Sequence, residues 1–352
     1  MKRVKEGRAI IHVPEESLTR KSETFYNPGM EYQRNITIAS LRVLQPKRIL
    51  DPLAASGVRG IRILKEVEGV EKVVFNDVNP KAVKLIKKNL KANRIDKSRY
   101  EVYQKEANTL FIEKGKFGFV DVDPFGSPAK FLENAGYSLG KDSIIGITAT
   151  DTGALSGKFP DACLRRYGVK VGRTDFPKEL GVRVLITATI LNLAKHKMTF
   201  KPLYSHANHY FRVMGRVSYG HEDNLKKIRM ISYCPECHAK SLGVMKACRN
   251  CGGRVSTIGP LWAGEIQDRV FCGKLLAKFD FRNNKEIVMC SQEIDEPFYY
   301  DLHKLAKSTK KSSPKIDVLI KKLNDKGFEA SRTHLCLTGL KTNASVKEIL
   351  KT

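Results

Sequence analysis

From about Asn35 to Tyr219 the apolar positions fall into two alternating kinds of segment. Short, largely apolar runs at Arg48–Leu50, Lys72–Phe75, Tyr100–Tyr103, Phe117–Val122 and Ser143–Ala149 predict strands buried on both faces. Between them, Ile36–Leu44, Val58–Glu66 and Pro80–Asn93 carry helical spacing, the first stopped by Pro46. In the third, Ala82, Val83, Leu85, Ile86 and Leu90 form one stripe behind a proline at the first helical position. Lys178–Leu193 predicts a further helix, and Phe200–Tyr204 with Tyr210–Tyr219 a terminal pair of strands. Strands that alternate with helices and lack polar alternation predict an α/β fold, a mostly parallel sheet covered on both faces.

The pattern changes at both ends of the chain. Met1 to Gln33 is polar and irregular, punctuated by Pro14, Pro28 and Gly29. After Tyr219 the βα rhythm stops and paired cysteines arrive, so a boundary is expected near residue 222, between domains at 1–222 and 223–352. A length of 352 residues accommodates two domains. In the second, Ile316–Leu323 predicts an amphipathic helix and Thr333–Leu337 a strand.

Charge alters this picture of an ordinary globular protein. With 63 Lys and Arg against 37 Asp and Glu, the net charge is +26, a field that favours polyanionic partners through counterion release. The densely charged surface of a thermophile would give the same count. No apolar run approaches the roughly 20 residues a membrane-spanning helix needs, and no signal-peptide core is evident, so a cytoplasmic protein without a membrane partner is expected. A monomer is the favoured state.

Candidate chemistry collects at the ends of the predicted strands. The first runs into Asp51-Pro-Leu-Ala-Ala-Ser-Gly-Val-Arg-Gly60, a small-residue turn ahead of a helix N-terminus. Ala55 stands where the dinucleotide fingerprint requires its first glycine, and an acid followed by a small-residue turn suits S-adenosylmethionine instead. Asp77, after the second strand, could accept from two ribose hydroxyls or merely cap the next helix. Glu106-Ala107, after the third, could meet an adenine amino group and ring nitrogen. The fourth strand delivers Asp121-Val-Asp-Pro-Phe-Gly-Ser-Pro128. An exocyclic base amine is a poor nucleophile because its lone pair is delocalised, so an enzyme must mainly orient it toward a reactive methyl. The Asp123 carboxylate and the Pro124 carbonyl could each accept one amine N–H, and Phe125 offers a stacking face to an extruded base. Asp-Pro and Gly-Ser-Pro also form plain turns.

Phe25-Tyr-Asn-Pro28 with Arg34, the Asp51–Gly60 motif and Asp123-Pro-Phe-Gly-Ser-Pro128 together closely resemble the tRNA guanine-26 N2-dimethyltransferase family. The resemblance spans most of the chain, including the cysteine pairs and Gly339-Leu-Lys-Thr-Asn343. It implies a Rossmann-like class I methyltransferase domain and a zinc-bearing α+β domain that holds tRNA. It further implies that Arg34, Arg59, Asp77, Glu106 and Ala107 line the S-adenosylmethionine site, with the arginines toward the methionine carboxylate; Asp51 and Gly57 of the small-residue turn are read as part of the same site. Asp123 would act at the target amine, and Phe25 and Phe125 would frame the guanine. Asn35 after Arg34, and Glu106 where the family carries Asp, depart from its pattern.

Cys234-Pro-Glu-Cys237 and Cys248-Arg-Asn-Cys251, ten residues apart, match a closed tetrahedral Zn²⁺ site with a structural role; two disulfides or a different soft metal are the alternatives. His238 is redundant to that set. Between His303 and Lys326 eight lysines face two aspartates, which suits phosphate contacts or a solvated face. Trp262, Tyr299 and Tyr300 are read as core before base-stacking residues. Two rival functions remain: a DNA adenine or cytosine N-methyltransferase with a similar Asp-Pro-aromatic loop, and a zinc RNA-binding protein that has lost catalysis.

Overall fold

A computed structural model describes residues 1–15, 26–278, 284–309 and 312–352. The chain forms two compact units, one of Met1–Pro124, Phe131–Ile147 and Arg216–Tyr219, the other of Phe125–Lys130, Thr148–Gly215 and Gly220–Thr352.

The first unit opens with a hairpin, β1 (Lys2–Glu6) and β2 (Ala9–Val13), which pairs Lys2 with Val13. This corrects the expectation of an irregular start. Ala9, Ile11 and Val13 are buried on one face, an alternation too short to stand out against the charged residues around it. Helix α1 (Glu31–Leu44) begins well before Ile36, and β3 (Arg48–Asp51) and α2 (Val58–Glu66) follow. Then come β4 (Lys72–Asn76), α3 (Pro80–Ala92), β5 (Tyr100–Tyr103), α4 (Ala107–Glu113) and β6 (Phe119–Val122). Pro80 opens α3 as expected, and Asn79 rather than Asp77 caps it. Two buried amides, Asn89 on α3 and its C-cap Asn93, close the free edge of β2: Asn89 exchanges hydrogen bonds with the His12 backbone, and Asn93 with that of Ile10.

Helix α5 (Ala129–Ala135) and β7 (Ile144–Ala149) continue the alternation, followed by α6 (Thr152–Leu155), α7 (Pro160–Tyr167) and α8 (Pro177–Ala194). With β8 (Met198–Ala207) and β9 (Phe211–Tyr219), seven strands take the order β5-β4-β3-β6-β7-β9-β8. Every pairing from β5 to β7 is parallel. The order reverses between β3 and β6, so the C-terminal ends of these two strands flank a switch point where ligands settle in such sheets.

Past α9 (Glu222–Lys226), β10 (Ile228–Tyr233), β11 (Lys240–Leu242) and β12 (Ser256–Trp262) form a small antiparallel sheet. Helices α10 (Arg269–Lys278) and α11 (Lys285–Gln292) lead to β13 (Tyr300–Asp301), α12 (Leu302–Ser308) and α13 (Ile316–Asp325). The unit ends with β14 (Ala330–Thr333), β15 (Cys336–Thr342) and α14 (Val346–Lys351). Leu302, Leu305, Leu319, Leu323, Leu340 and Ile349 build the core beneath that last sheet. The strand expected at Thr333–Leu337 is broken by a turn at His334-Leu335. Buried Glu293 draws that turn inward, accepting from the Thr333 hydroxyl and from both the backbone and the ring of His334. Trp262, Tyr299 and Tyr300 are buried, as core residues should be. Among the described residues no helix is long and apolar enough to cross a membrane.

Candidate active site

In the first unit one buried amide gathers the ends of three strands. Asn76, the last residue of β4, donates to the carbonyls of Pro52 and Lys105 and accepts from the Lys105 N–H. The turns after β3 and β5 are thereby stitched to the end of β4. Asp51, Asp77 and Glu106 all sit at this sewn edge. In the sequence Asn76 merely closes an apolar run, and its partners lie 24 and 29 residues away.

The turn between Asp51 and α2 is held in a conformation that small residues permit. Ala55 takes a left-handed backbone with φ 46°, at a cost on the order of 1 kcal/mol for a residue with a Cβ. Its N–H donates to Asp77 Oδ2 at 2.9 Å, while Asp77 Oδ1 accepts from Asn79 N. Gly57 caps α2 at φ 76°, where a side chain would be strained. Glu106 caps α4 through the N–H groups of Asn108 and Thr109, and Ala107 is the helix's first residue.

Arg59, on α2, is the centre of a carboxylate cluster. Its Nε lies 2.6 Å from Asp121, its Nη2 is hydrogen-bonded to Asp123, and it also donates to Gln33 at 2.8 Å and Thr37 at 3.3 Å. Burial opposes the Arg59 charge, and the carboxylates of Asp121, Asp123 and Asp51 outweigh it, so its pKa rises. Asp51 is 3% exposed, and among the described residues its Oδ2 has no hydrogen-bond partner. Burial first, then the Asp121 charge, push the Asp51 carboxyl up to about 8 against the pull of Arg59. A buried corner with more carboxylates than cations and one orphaned oxygen fits a ligand that brings positive charge. The sulfonium and ammonium of S-adenosylmethionine are of that kind.

Arg34 is engaged by a different carboxylate. Its guanidinium grips Glu6 of β1 through two bonds of 2.6 and 2.5 Å and donates to the Asn27 carbonyl. Arg62 meets the same carboxylate at 2.9 Å. Burial raises the Glu6 pKa, but Arg34 and Arg62 more than reverse it. Phe25 lies outside the described residues. Asp123 and Pro124 follow directly on β6; Asp123 is half-buried and Pro124 buried.

In the second unit Phe125 is 68% exposed. The next residue is clamped twice: Gly126 N donates to Thr150 Oγ1 at 2.7 Å, and Gly126 O accepts from Thr150 N at 2.9 Å. Asp151, beside Thr150, accepts from Tyr167 at 2.7 Å and Arg166 at 2.8 Å. The loop is thus bolted to the end of β7. Thr150 was missed because nothing local marks a threonine 24 residues from the loop it holds.

The four cysteines of the two pairs come together, all Sγ atoms within 4.8 Å, with Cys234–Cys251 and Cys237–Cys248 at 3.5 Å. Each pair sits in a knuckle turn, closed by His238 N to Cys234 O and by Gly252 N to Cys248 O. Tetrahedral zinc with thiolate bonds near 2.3 Å needs sulfurs about 3.8 Å apart, so the donor set fits a metal ion. His238 is turned away, its Nδ1 hydrogen-bonded to the Tyr233 hydroxyl.

Comparison with known proteins matches residues 7–352 to a family model described as N2,N2-dimethylguanosine tRNA methyltransferase. A protein of Methanosphaera stadtmanae named tRNA (guanine(26)-N(2))-dimethyltransferase is 38% identical over 98% of this chain and 95% of its own length. One of Aquifex aeolicus, named tRNA (guanine(26)-N(2)/guanine(27)-N(2))-dimethyltransferase, is 34% identical over 100% of this chain and 95% of its own. A solved structure described as Trm1 from Pyrococcus horikoshii with S-adenosyl-L-methionine superposes with a TM-score of 0.90 at 30% identity, covering 100% of this chain and 99% of that one.

Proposed function

The chain belongs to the N2,N2-dimethylguanosine tRNA methyltransferase family, and from that premise we propose that it places two methyl groups on the exocyclic N2 of guanine 26 in tRNA. S-adenosylmethionine supplies, when bound, an electrophilic methyl group on a sulfonium. The observation that carries the reading is Asp123 at the mouth of β6, one oxygen held by Arg59 within a carboxylate-rich corner. Pinned in this way, the carboxylate accepts one amine N–H, and the Pro124 carbonyl accepts the other. The amine lone pair is then turned toward the methyl; as the N–C bond forms and the S–C bond breaks to leave a thioether, the amine proton passes to Asp123. Phe125, next in the chain, stacks on the extruded base, with Phe25 as the second face.

Asp51, with its unpartnered oxygen, takes the ammonium of the donor. Gly57 and the α2 N-terminus accommodate the close approach of the methionine end. Asp77 receives the ribose hydroxyls, and Glu106 with the Ala107 N–H receives the adenine. Arg34 and Arg59 are already engaged by carboxylates, so either meets the methionine carboxylate by sharing its guanidinium. A second transfer needs only one acceptor, because the monomethylated amine keeps one N–H.

We assign Zn²⁺ to Cys234, Cys237, Cys248 and Cys251 as a structural ion, and tRNA contacts to the lysine-rich second domain at 223–352, the methyl-transfer domain being 1–222. We place the protein in a reducing cytoplasm, where these cysteines stay available to the metal. Incubation with methyl-labelled donor and unmodified tRNA, followed by nucleoside analysis, should yield dimethylguanosine at position 26. Label appearing only in duplex DNA, or in neither nucleic acid, would overturn the assignment.

A further inference from the structure

The segment between β7 and α8 carries a surface that the methyl-transfer chemistry does not use. Phe159, the residue before α7, is 55% exposed. It is nonetheless fixed. Its N–H donates to the Gly153 carbonyl at 3.0 Å, and its ring lies so close over Gly153 that an added Cβ there would come within 2.6 Å of it. One edge of the platform is therefore set by a glycine that has no side chain to push it away.

The surroundings are cationic. Lys158 holds its ammonium 5.5 Å from the Phe159 ring centroid. From residue 158 to 170 the chain has Lys158, Arg165, Arg166 and Lys170 against Asp161 alone. Leu164 on α7 is 53% exposed beside those arginines. The same short stretch anchors the catalytic loop: Thr150 clamps Gly126, and Arg166 and Tyr167 hold Asp151. Two exposed rings, Phe125 and Phe159, thus belong to one hydrogen-bonded assembly within the second unit.

An exposed, rigid aromatic ring among cations suits a planar group on a polyanion. We propose that Phe159 is a stacking platform for an unpaired nucleobase of the tRNA substrate flanking the target guanine, with Lys158 and Arg165 on the adjoining phosphates. Stacking is tolerant of base identity, because every base presents a π-face. The ring would hold the neighbour of the extruded guanine and resist its return to the helix. The proposal rests on the tRNA reading above.

The test compares full-length wild-type protein with Phe159→Ala, Phe159→Leu and Phe159→Trp. Binding of an end-labelled unmodified tRNA transcript is followed by fluorescence anisotropy, and dimethylguanosine formation is measured in parallel. Phe159→Ala and Phe159→Leu should both raise the tRNA Kd about tenfold and lower kcat/KM in step. Phe159→Trp should stay near wild type, and donor affinity should be unchanged throughout. Lys158→Ala should flatten the salt dependence of binding by about one unit of slope. Leucine keeps the apolar volume without the π-face, so wild-type binding by Phe159→Leu would overturn the stacking role even if Phe159→Ala loses stability. Binding by Phe159→Ala within twofold of wild type would overturn it outright. Absence of dimethylguanosine with wild-type protein would instead count against the tRNA reading, while the binding comparison still decides the platform.

Discussion

In the first unit Asp51, Asp121 and Asp123 surround the single guanidinium of Arg59. In the second unit, Glu179 and Glu293 face Arg183 and Lys341 one for one, with His334 added. All four of those partners are as deeply buried as any side chain in the molecule. Glu179 accepts from Arg183 and from the N–H groups of Phe298 and Tyr299, and Glu293 from Lys341, Thr333 and His334. Every carboxylate oxygen there has a donor. The first cluster is short of cations and leaves an Asp51 oxygen without one. A balanced, saturated network is what a fold needs to bury charge at all. An unbalanced one is destabilising until a cationic ligand completes it, and that difference separates a structural cluster from a site.

The comparison can be broken at several points, beginning with the chemistry. Asp123→Ala should lower methyl transfer to tRNA by about 10²–10³-fold, as loss of a positioning acceptor does, with a much smaller loss of donor affinity by calorimetry because Asp51 and Asp121 keep the corner anionic. Activity near wild type would remove Asp123 from the mechanism. Next comes the balanced cluster. Glu293→Ala strands Lys341 and His334, and should cost about 3–5 kcal/mol in denaturant unfolding. Its pH signature follows from the two shifts. Burial raises the Glu293 pKa, but Lys341 and His334 bring it well below the ordinary value, so its contribution is full above that ordinary range and fades as pH falls. Burial lowers the His334 pKa and Glu293 raises it more, so its contribution is full below the ordinary histidine range and is lost as pH climbs through the raised value.

The unbalanced cluster should respond in the opposite sense. The Asp51 carboxyl, raised to about 8, makes the ligand-free fold less stable as pH rises from the ordinary carboxylate range toward 8. Asp51→Asn should therefore raise the melting temperature at pH 8 while weakening donor binding; a lower melting temperature would make Asp51 a structural residue. A smaller effect is expected at the loop clamp. Thr150→Val removes one of the two bonds to Gly126 and should lower kcat up to about tenfold, with Thr150→Ser restoring it. Unchanged kcat in the valine variant would show that the loop does not need the clamp. Smallest in activity is the metal. A chelator should lower the melting of the second domain yet leave methyl transfer by still-folded protein nearly intact, and unchanged melting would argue against zinc.

What the sequence disclosed were the features encoded locally. Strand runs such as Lys72–Phe75, the Pro80 helix start and the two C-x-x-C knuckles each fit within a few residues. The Asp51–Gly60 turn and the Asp123 loop were legible for the same reason. Features made by distant residues were not. Glu6 and Arg34 meet across 28 residues, Phe298 reaches Glu179 across 119, and His334 reaches Glu293 across 41. A charged residue inside an apolar helix such as α8 announces burial, but its partner cannot be read from spacing. The turn at His334-Leu335 was misread as strand because the partner that bends it lies on another element.

The most direct measurement of the central claim is calorimetric titration of S-adenosylmethionine at pH 7 in two buffers of different ionisation enthalpy. If the carboxylate-rich corner receives the donor's positive charge, binding should expel a proton from Asp51, and Asp51→Asn should abolish that release. Binding with no proton exchange, or with the same release in Asp51→Asn, would contradict the account.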